Sequence, residues 1–198
     1  MPKKVDALER RTRIADALMR VAAEQGLEAV SLRHVAAAAG VSAGMVQHYF
    51  RTKDEMMAFA LGVVRDRAQA RVAAAVARLG DAPPPRLLLR TIITAVLPLD
   101  TESSADGRVA LAFLAYTAVR PAAASTLRDD TAQMTGFFAG LLPGPGAEEA
   151  AAGLLALMEG LGVYLLGGHY GREQALAALD AHLGLLFAGS PGIPSSER

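Results

Sequence analysis

Apolar positions recur at spacings of three and four along nearly the whole chain. Ile14, Leu18 and Val21 form one stripe of a helix over 6–25, which Gly26 ends. Residues 1–10 read as a polar arm that is mobile at its start. Two short helices are expected over 32–39 and 43–50. Thr52 and Glu55 form a T-x-x-E capping box that opens a long fourth helix. Leu61, Val64, Ala68, Val72, Ala75 or Val76, and Leu79 are its expected buried stripe, with Arg65, Arg67, Arg71 and Arg78 off it. At 1.5 Å per residue its roughly 27 residues would span about 40 Å. After Pro83-Pro84-Pro85 comes an apolar helix over 86–97, closed by Pro98. A polar loop is expected over 98–107, and a helix over 108–120 carrying Phe113, Tyr116 and Arg120. Pro121 interrupts, and a further helix runs to 142. Pro143-Gly144-Pro145-Gly146 then breaks the chain before helices over 147–166 and 172–187. Strand-like alternation is nearly absent, so the expectation is an all-α fold, with three helices before residue 54 and six after. The tail over 189–198 is expected to be disordered.

Residues 31–53 carry the densest local signals. Ser31 is a good N-cap, and Val30 with Val35 has the spacing of a hydrophobic staple. Gly40 can take the left-handed conformation past a helix end. Ser42 caps the next helix, and Val41 with Val46 repeats the staple. Two short helices joined by a glycine turn form a helix-turn-helix, whose second helix can enter the major groove. At 100° per residue, Val46, Phe50 and Tyr49 face inward. Gly44, Gln47 and His48 face out, with Ala43 and Met45 on the flanks. That outward face carries no charge that DNA would repel. Glutamine can pair with adenine, and the helix N-terminus offers N–H groups to phosphate. A helical hairpin inside an ordinary all-α domain has the same pattern.

Composition narrows the classes. The chain has 198 residues, 52 % of them apolar, with no Cys and no Trp. Disulfides and Cys-based metal sites are excluded. The N-terminus is too polar for a secretory signal. The longest apolar run, 153–168, holds Glu159 and is shorter than the roughly 18–20 residues of a membrane span. A soluble cytoplasmic protein with no membrane partner is expected. Charge is uneven: residues 1–53 carry a balance of +4 and the remainder −4, which suits a protein that presents one end to a polyanion. There is no G-x-S-x-G, no phosphate-cradling glycine loop and no H-E-x-x-H, so no enzyme and no cofactor are expected. His169 and His182 lack companion ligands at helical spacing and read as structural, leaving no metal site.

The run SLRHVAAAAGVSAGMVQHYFRTKDEMM closely resembles the DNA-binding segment of TetR-type transcriptional regulators. The resemblance rests on Ala39-Gly40-Val41-Ser42, Gly44, His48-Tyr49-Phe50, Lys53 and the acidic-plus-apolar start of the next helix. It implies a helix-turn-helix DNA-binding domain over 1–53 and a helical ligand-binding and dimerisation domain over 54–188. The implied DNA-binding residues are Arg33, Ser42, Ala43, Gly44, Met45, Gln47, His48, Tyr49 and Lys53, with Lys53 on phosphate. Basic residues on or before the first helix touch phosphates in the family, which makes Lys3, Lys4, Arg10, Arg11 and Arg13 candidates. Two positions depart from the common pattern. Met45 stands where many members have Thr and cannot make that hydroxyl–phosphate bond; Gln47 stands where many have Tyr. The wording of the motif is similar to the branch that includes choline-pathway regulators.

The body offers fewer local signals. Gly153, Gly160 and Gly167 recur every seven residues, and the last helix carries Leu176, Leu179, Leu183 and Leu186. Together they suggest a four-helix interface with a second copy, and family members usually dimerise through their last two helices. Phe113, Tyr116, Met134, Phe138, Met158 and Tyr164 are the candidate lining of an effector pocket. Glu159, inside an apolar run, must find a partner, either a cationic ligand or a neighbouring helix. Its Glu-Gly-Leu context resembles the family's and favours the structural role. The expected function is a ligand-responsive transcriptional regulator, a homodimeric repressor released from a near-palindromic double-stranded DNA operator by an unknown small molecule. The alternative is an effector-independent helical DNA-binding protein acting structurally or through a protein partner.

Overall fold

The computed structural model describes residues 2–26, 29–118 and 125–188, the side chains of 2–8, 23, 125 and 126 excepted. Among the described residues every regular element is helical. The helices are α1 (Pro2–Gln25), α2 (Leu32–Ala39), α3 (Ala43–Tyr49), α4 (Lys53–Val76), α5 (Pro85–Val96), α6 (Thr101–Ala118), α7 (Ser125–Ala139), α8 (Ala147–Leu166) and α9 (Arg172–Phe187). A 3-10 turn, Ala77–Leu79, tightens the end of α4 before Gly80, whose φ of 82° no other residue type adopts readily. The last two helices fall where the apolar pattern placed them. The first differs: α1 begins at Pro2, so the expected polar arm is helical from that point. The expected tail, the break at Pro121, and the side chains of Lys3 and Lys4 lie outside the described residues.

The largest difference is at α6, which starts at Thr101 inside the expected loop. The cause is local. The Asp100 carboxylate accepts the Ser103 N–H at 2.8 Å, and the Ser103 hydroxyl oxygen accepts the Asp100 N–H at 3.1 Å. That is a reciprocal capping box with the acid first and the hydroxyl third. The bonds from Ser103 hold the Asp100 carboxyl below its ordinary pKa.

Two apolar cores stack along the molecule. The first joins α1, α2, α3, the N-terminal half of α4 (Met56, Met57, Ala60, Val64) and two residues of α6, Val109 and Phe113. The second joins α5, α8, α9 and the end of α7, with Val72 and Val76 of α4 packed against it. Helix α4, at 24 residues or about 36 Å, therefore runs from one core to the other. Helix α6 also enters the first core with its C-terminal half. The arginines of α4 are not simply off its stripe: Arg65 is paired with Asp130, and Arg67 and Arg71 with Asp106.

The end helices bury less than expected of them in one place and more in another. Leu179 and Leu183, expected in a dimer stripe, are fully buried in the chain's own second core. Leu176 is half-buried, Leu186 packs against the same core, and Leu185 is the outward leucine, 72 % exposed. On α8 the small residues do face out: a Cβ at Gly153 or Gly160 would meet nothing within 4 Å. At 20 residues and a mean hydropathy of 1.5, α8 is long and apolar enough to cross a membrane by length and composition alone, more than the 153–168 run suggested.

Candidate functional site

The turn between α2 and α3 is fixed by side-chain caps and by backbone bonds across it. The Ser31 hydroxyl accepts the His34 N–H at 3.2 Å, and that of Ser42 accepts the Met45 N–H at 3.1 Å. Gly40 sits at φ 67°, so the Val41 N–H reaches the Ala36 carbonyl at 3.0 Å and the Gly40 N–H the Ala37 carbonyl at 3.2 Å. These two bonds make a Schellman stop, which needs a left-handed residue at this place. Arg20 of α1 donates to the remaining Ala38 carbonyl at 2.9 Å. Val35, Val46 and Phe50 are completely buried below the turn. The opposite face of α3 is left to solvent: Gly44, Gln47 and His48 are exposed, as are Ser42 and Ala43 at its start. Tyr49 is half-buried and meets the His48 ring edge-on at 5.1 Å. Arg33 is exposed in the first turn of α2. Lys53, half-buried, opens α4 beside them.

The basic residues of α1 divide. Arg10 and Arg13 line an open groove of about 340 Å³ with Glu9, Ala39, Gly40, Val41 and Met45, next to the recognition helix. Met45 is half-buried there, so its thioether packs toward α1. Arg11 turns elsewhere. Its guanidinium lies over the rings of Phe50 and Phe59 at 5.0 and 4.6 Å and approaches Glu55 at 4.0 Å. This is a cation–π contact that anchors α1 to Phe50, at the end of α3, and to α4, a packing role that the sequence did not show for Arg11.

A separate cavity of about 100 Å³ lies in the body between α5, α6 and α8. Val96, Leu97 and Pro98 close one side, Gly107, Ala110 and Leu111 of α6 a second, and Met158, Glu159, Gly162, Val163 and Leu166 of α8 a third. Glu159 is its one carboxylate, without a hydrogen bond or ion pair among the described residues. Although the residue as a whole is exposed, the apolar wall beside it partly desolvates the carboxyl and raises its pKa. Of the six expected lining residues only Met158 reaches this cavity. Phe138 is fully buried in the second core, and Phe113 and Tyr116 belong to the first. Met134 and Tyr164 are exposed, at 37 % and 46 %; the Tyr164 ring stacks edge-on with His169 and Tyr170 at 5.7 and 4.9 Å. Aromatic bulk was a poor guide because bulky side chains fill the cores. The cavity sits where Gly107, Ala110 and Gly162 leave room. Among the described residues no group of three His, Cys, Asp or Glu is placed to hold a metal ion.

The likenesses to known proteins agree over both regions. A family described as bacterial regulatory proteins of the tetR family matches residues 14–58, and one described as the C-terminal part of BetI-type transcriptional repressors matches 85–188. The HTH-type transcriptional regulator BetI of Burkholderia thailandensis is 33 % identical over 195 residues, 95 % of this chain and 98 % of its own. The chain belongs to the TetR family. Its fold is similar to the crystal structure of a transcriptional regulator from Rhodococcus sp. Rha1, at 38 % identity and a TM-score of 0.81 over 93 % of this chain and 99 % of that one. It is also similar to the multidrug binding protein EbrR complexed with malachite green, at 28 % identity and a TM-score of 0.67 over 88 % and 98 %. The chain is thus a DNA-binding transcriptional regulator of a repressor family, and not an enzyme.

In this TetR-family regulator the two regions are tied by ion pairs that lay hidden in the sequence. Arg67 of α4 donates to Asp16 of α1 at 2.7 Å and to Asp106 of α6 at 3.3 Å. Arg71, one turn on, donates to the other Asp106 oxygen at 2.7 Å. Burial pulls the Arg67 pKa down, but the bonds and charges of Asp16 and Asp106 outweigh it, and the net shift is upward. At the other end of α6, Tyr116 donates its hydroxyl to Asp54, the neighbour of Lys53. These partners stand 35 to 62 residues apart, so only the fold brings them together.

Proposed function

We propose that the protein is an effector-released repressor that acts as a homodimer in the cytoplasm. Its DNA contacts are Arg33, Ser42, Ala43, Gly44, Gln47, His48 and Tyr49 on the helix-turn-helix, with Lys53 on phosphate. Met45 contributes by packing, since its side chain lines the groove toward α1. The observation that carries the reading is the outward face of α3. Gly44, Gln47 and His48 are exposed and none of them is acidic, on a helix locked from below by Val46 and Phe50. This gives a division of labour at Lys53, with residues 1–53 reading DNA and 54–188 sensing and dimerising.

The outward face of α8 supports the dimer. Gly153, Ala156, Gly160 and Val163 of α8 are exposed, as is Leu185 of α9, and apolar positions left open on the last two helices suit a second copy. Two recognition helices about 34–36 Å apart would then read successive major grooves of a near-palindrome. The cavity supports the effector. Apolar walls around one unpaired carboxylate, Glu159, suit a small organic cation. Malachite green, the ligand of the similar EbrR, is itself an organic cation.

The test is a footprint of the purified protein on the DNA flanking its own gene, with and without tetramethylammonium or malachite green. A protected near-palindrome that is released by either cation is expected. Gln47→Ala with His48→Ala should abolish the protection while the dimer persists, and Glu159→Gln should abolish release. Specific protection that survives the double substitution sinks the reading face. Release that survives Glu159→Gln sinks the cation site. Protection that no cation disturbs favours the effector-independent alternative.

A further inference from the structure

Helix α6 is the one body helix that takes part in both places where the protein would have to act. Its Gly107, Ala110 and Leu111 wall the cavity, while its Val109 and Phe113 are buried in the DNA-binding core. Asp106 lies between these duties. It is 3 % exposed, directly precedes Gly107, and stands one helical turn from Ala110. Its two carboxylate oxygens are taken by Arg67 and Arg71, and Arg67 alone carries the connection on to Asp16 of α1. A buried carboxylate cannot give up both partners without a large desolvation penalty, so α6 and this part of α4 must move together. On the cavity side α6 stands at ordinary contact distance from its neighbours: a Cβ at Gly107 would lie 3.4 Å from Pro98 and 3.5 Å from Leu166 of α8. A group larger than the cavity would therefore push α6 away from α8.

We propose that Asp106 is the positioning residue through which the cavity controls DNA affinity, by way of Arg67 to Asp16 on α1. It rests on the effector reading above for what fills the cavity in the cell, but its test needs no effector. When α6 is displaced, Asp106 draws Arg67 with it, and the Arg67–Asp16 pair transmits the displacement to the helix that carries Arg10 and Arg13 beside α3. Arg71 shares Asp106 but has no contact with Asp16, so it stabilises the joint without being on the route.

The experiment grows a side chain into the cavity in place of a ligand. Ala110→Phe is the filling variant, with Ala110→Leu as the milder one should the first melt early. The affinity of the full-length protein for its footprinted operator is measured for the filled protein alone and combined with Asp106→Asn, Asp16→Asn or Arg71→Gln. Thermal melting is recorded for each. Filling should change operator affinity about tenfold or more in the otherwise unaltered protein, within the usual range of allosteric coupling. The same filling should change it by less than about twofold in Asp106→Asn and in Asp16→Asn, and should keep most of its effect in Arg71→Gln. Loss of melting temperature alone would follow from any structural role, whereas loss of the coupling would not. Coupling that persists in Asp16→Asn and Asp106→Asn overturns the proposal. So does coupling lost equally in Arg71→Gln, because general loosening of α4 against α6 then explains it. A filling variant that folds and leaves operator affinity unchanged overturns it as well. Release of the unaltered protein by tetramethylammonium would in that case leave the effector reading standing without this route.

Discussion

The helix-turn-helix end and the cavity-bearing body are built from equally apolar sequence, yet they are finished differently. Around α2 and α3 the helix ends are capped by side chains, the turn is closed by a glycine stop, and Phe50 is sealed beneath Arg11. In the body only Phe138 is buried among the described side chains of α7, α8 leaves its glycines open, and a cavity remains beside α6. The contrast fits the two tasks. On the proposed function, a reading helix must be held still against its own domain, since a displaced Gln47 would lose its base. A sensing body needs surfaces and space that something else can occupy. The elements between them, α4 and α6, are fixed to both sides, which lets a change in the loose half reach the tight half as a rigid-body movement.

The largest test of this contrast compares two phenylalanines. Phe50 is completely buried at the base of the recognition helix, whereas Phe137 on α7 is 50 % exposed. Phe50→Ala should cost about 3–5 kcal/mol and abolish operator binding with it. Phe137→Ala should cost about 0.5 kcal/mol or less. Denaturant melts of both, at one protein concentration, decide the matter. Similar losses would mean that the body is packed as tightly as the DNA end, and the contrast would be wrong.

A middle-sized test takes one cap. Ser42→Ala removes the oxygen that accepts the Met45 N–H and should cost about 1 kcal/mol. Because the cap sets where α3 begins, operator affinity should fall in the same proportion with base preference unchanged, as read by binding to a panel of single-substitution operators. A shift in base preference would place the Ser42 hydroxyl on a base edge, beyond its part in the cap and any phosphate contact.

The same contrast explains what could be read in advance. Caps, staples, the glycine stop and the inward and outward faces of α3 all lie within residues 31–53, so the helix-turn-helix was legible from local spacing. The ends of α8 and α9 were legible too, from glycine and proline breaks. The start of α6 was not, because the Asp100–Ser103 box looks like a polar loop until its two bonds are seen. The cavity was not legible at all. Spacing shows that Phe113 and Tyr116 share a face of α6, but not that this face meets α1 and α4. Adjacent Phe137 and Phe138 cannot both point inward, and nothing local says which does. The arginines of α4 read only as lying off its buried stripe, because Asp16, Asp106 and Asp130 are remote in sequence.

The smallest expected effect belongs to an ion pair on the body's surface. Arg90 of α5 and Asp180 of α9 meet through two bonds, of 2.5 and 2.9 Å, with both side chains 40 % exposed. The Arg90 guanidinium holds the Asp180 carboxyl below its ordinary pKa. A carboxylate with a depressed folded-state pKa adds stability above its unfolded pKa and loses it as the pH falls through the folded one. At this exposure water screens most of the attraction, so Arg90→Met should cost at most about 1 kcal/mol at neutral pH. The difference between the two proteins should shrink once the pH drops below the ordinary aspartate range and vanish when Asp180 is protonated. Melting curves at a series of pH values measure this directly. A cost that is several times larger, or one that does not change with pH, would show that α5 and α9 are clamped as firmly as α2 and α3. The looseness of the body would then be confined to α7 and the outer face of α8.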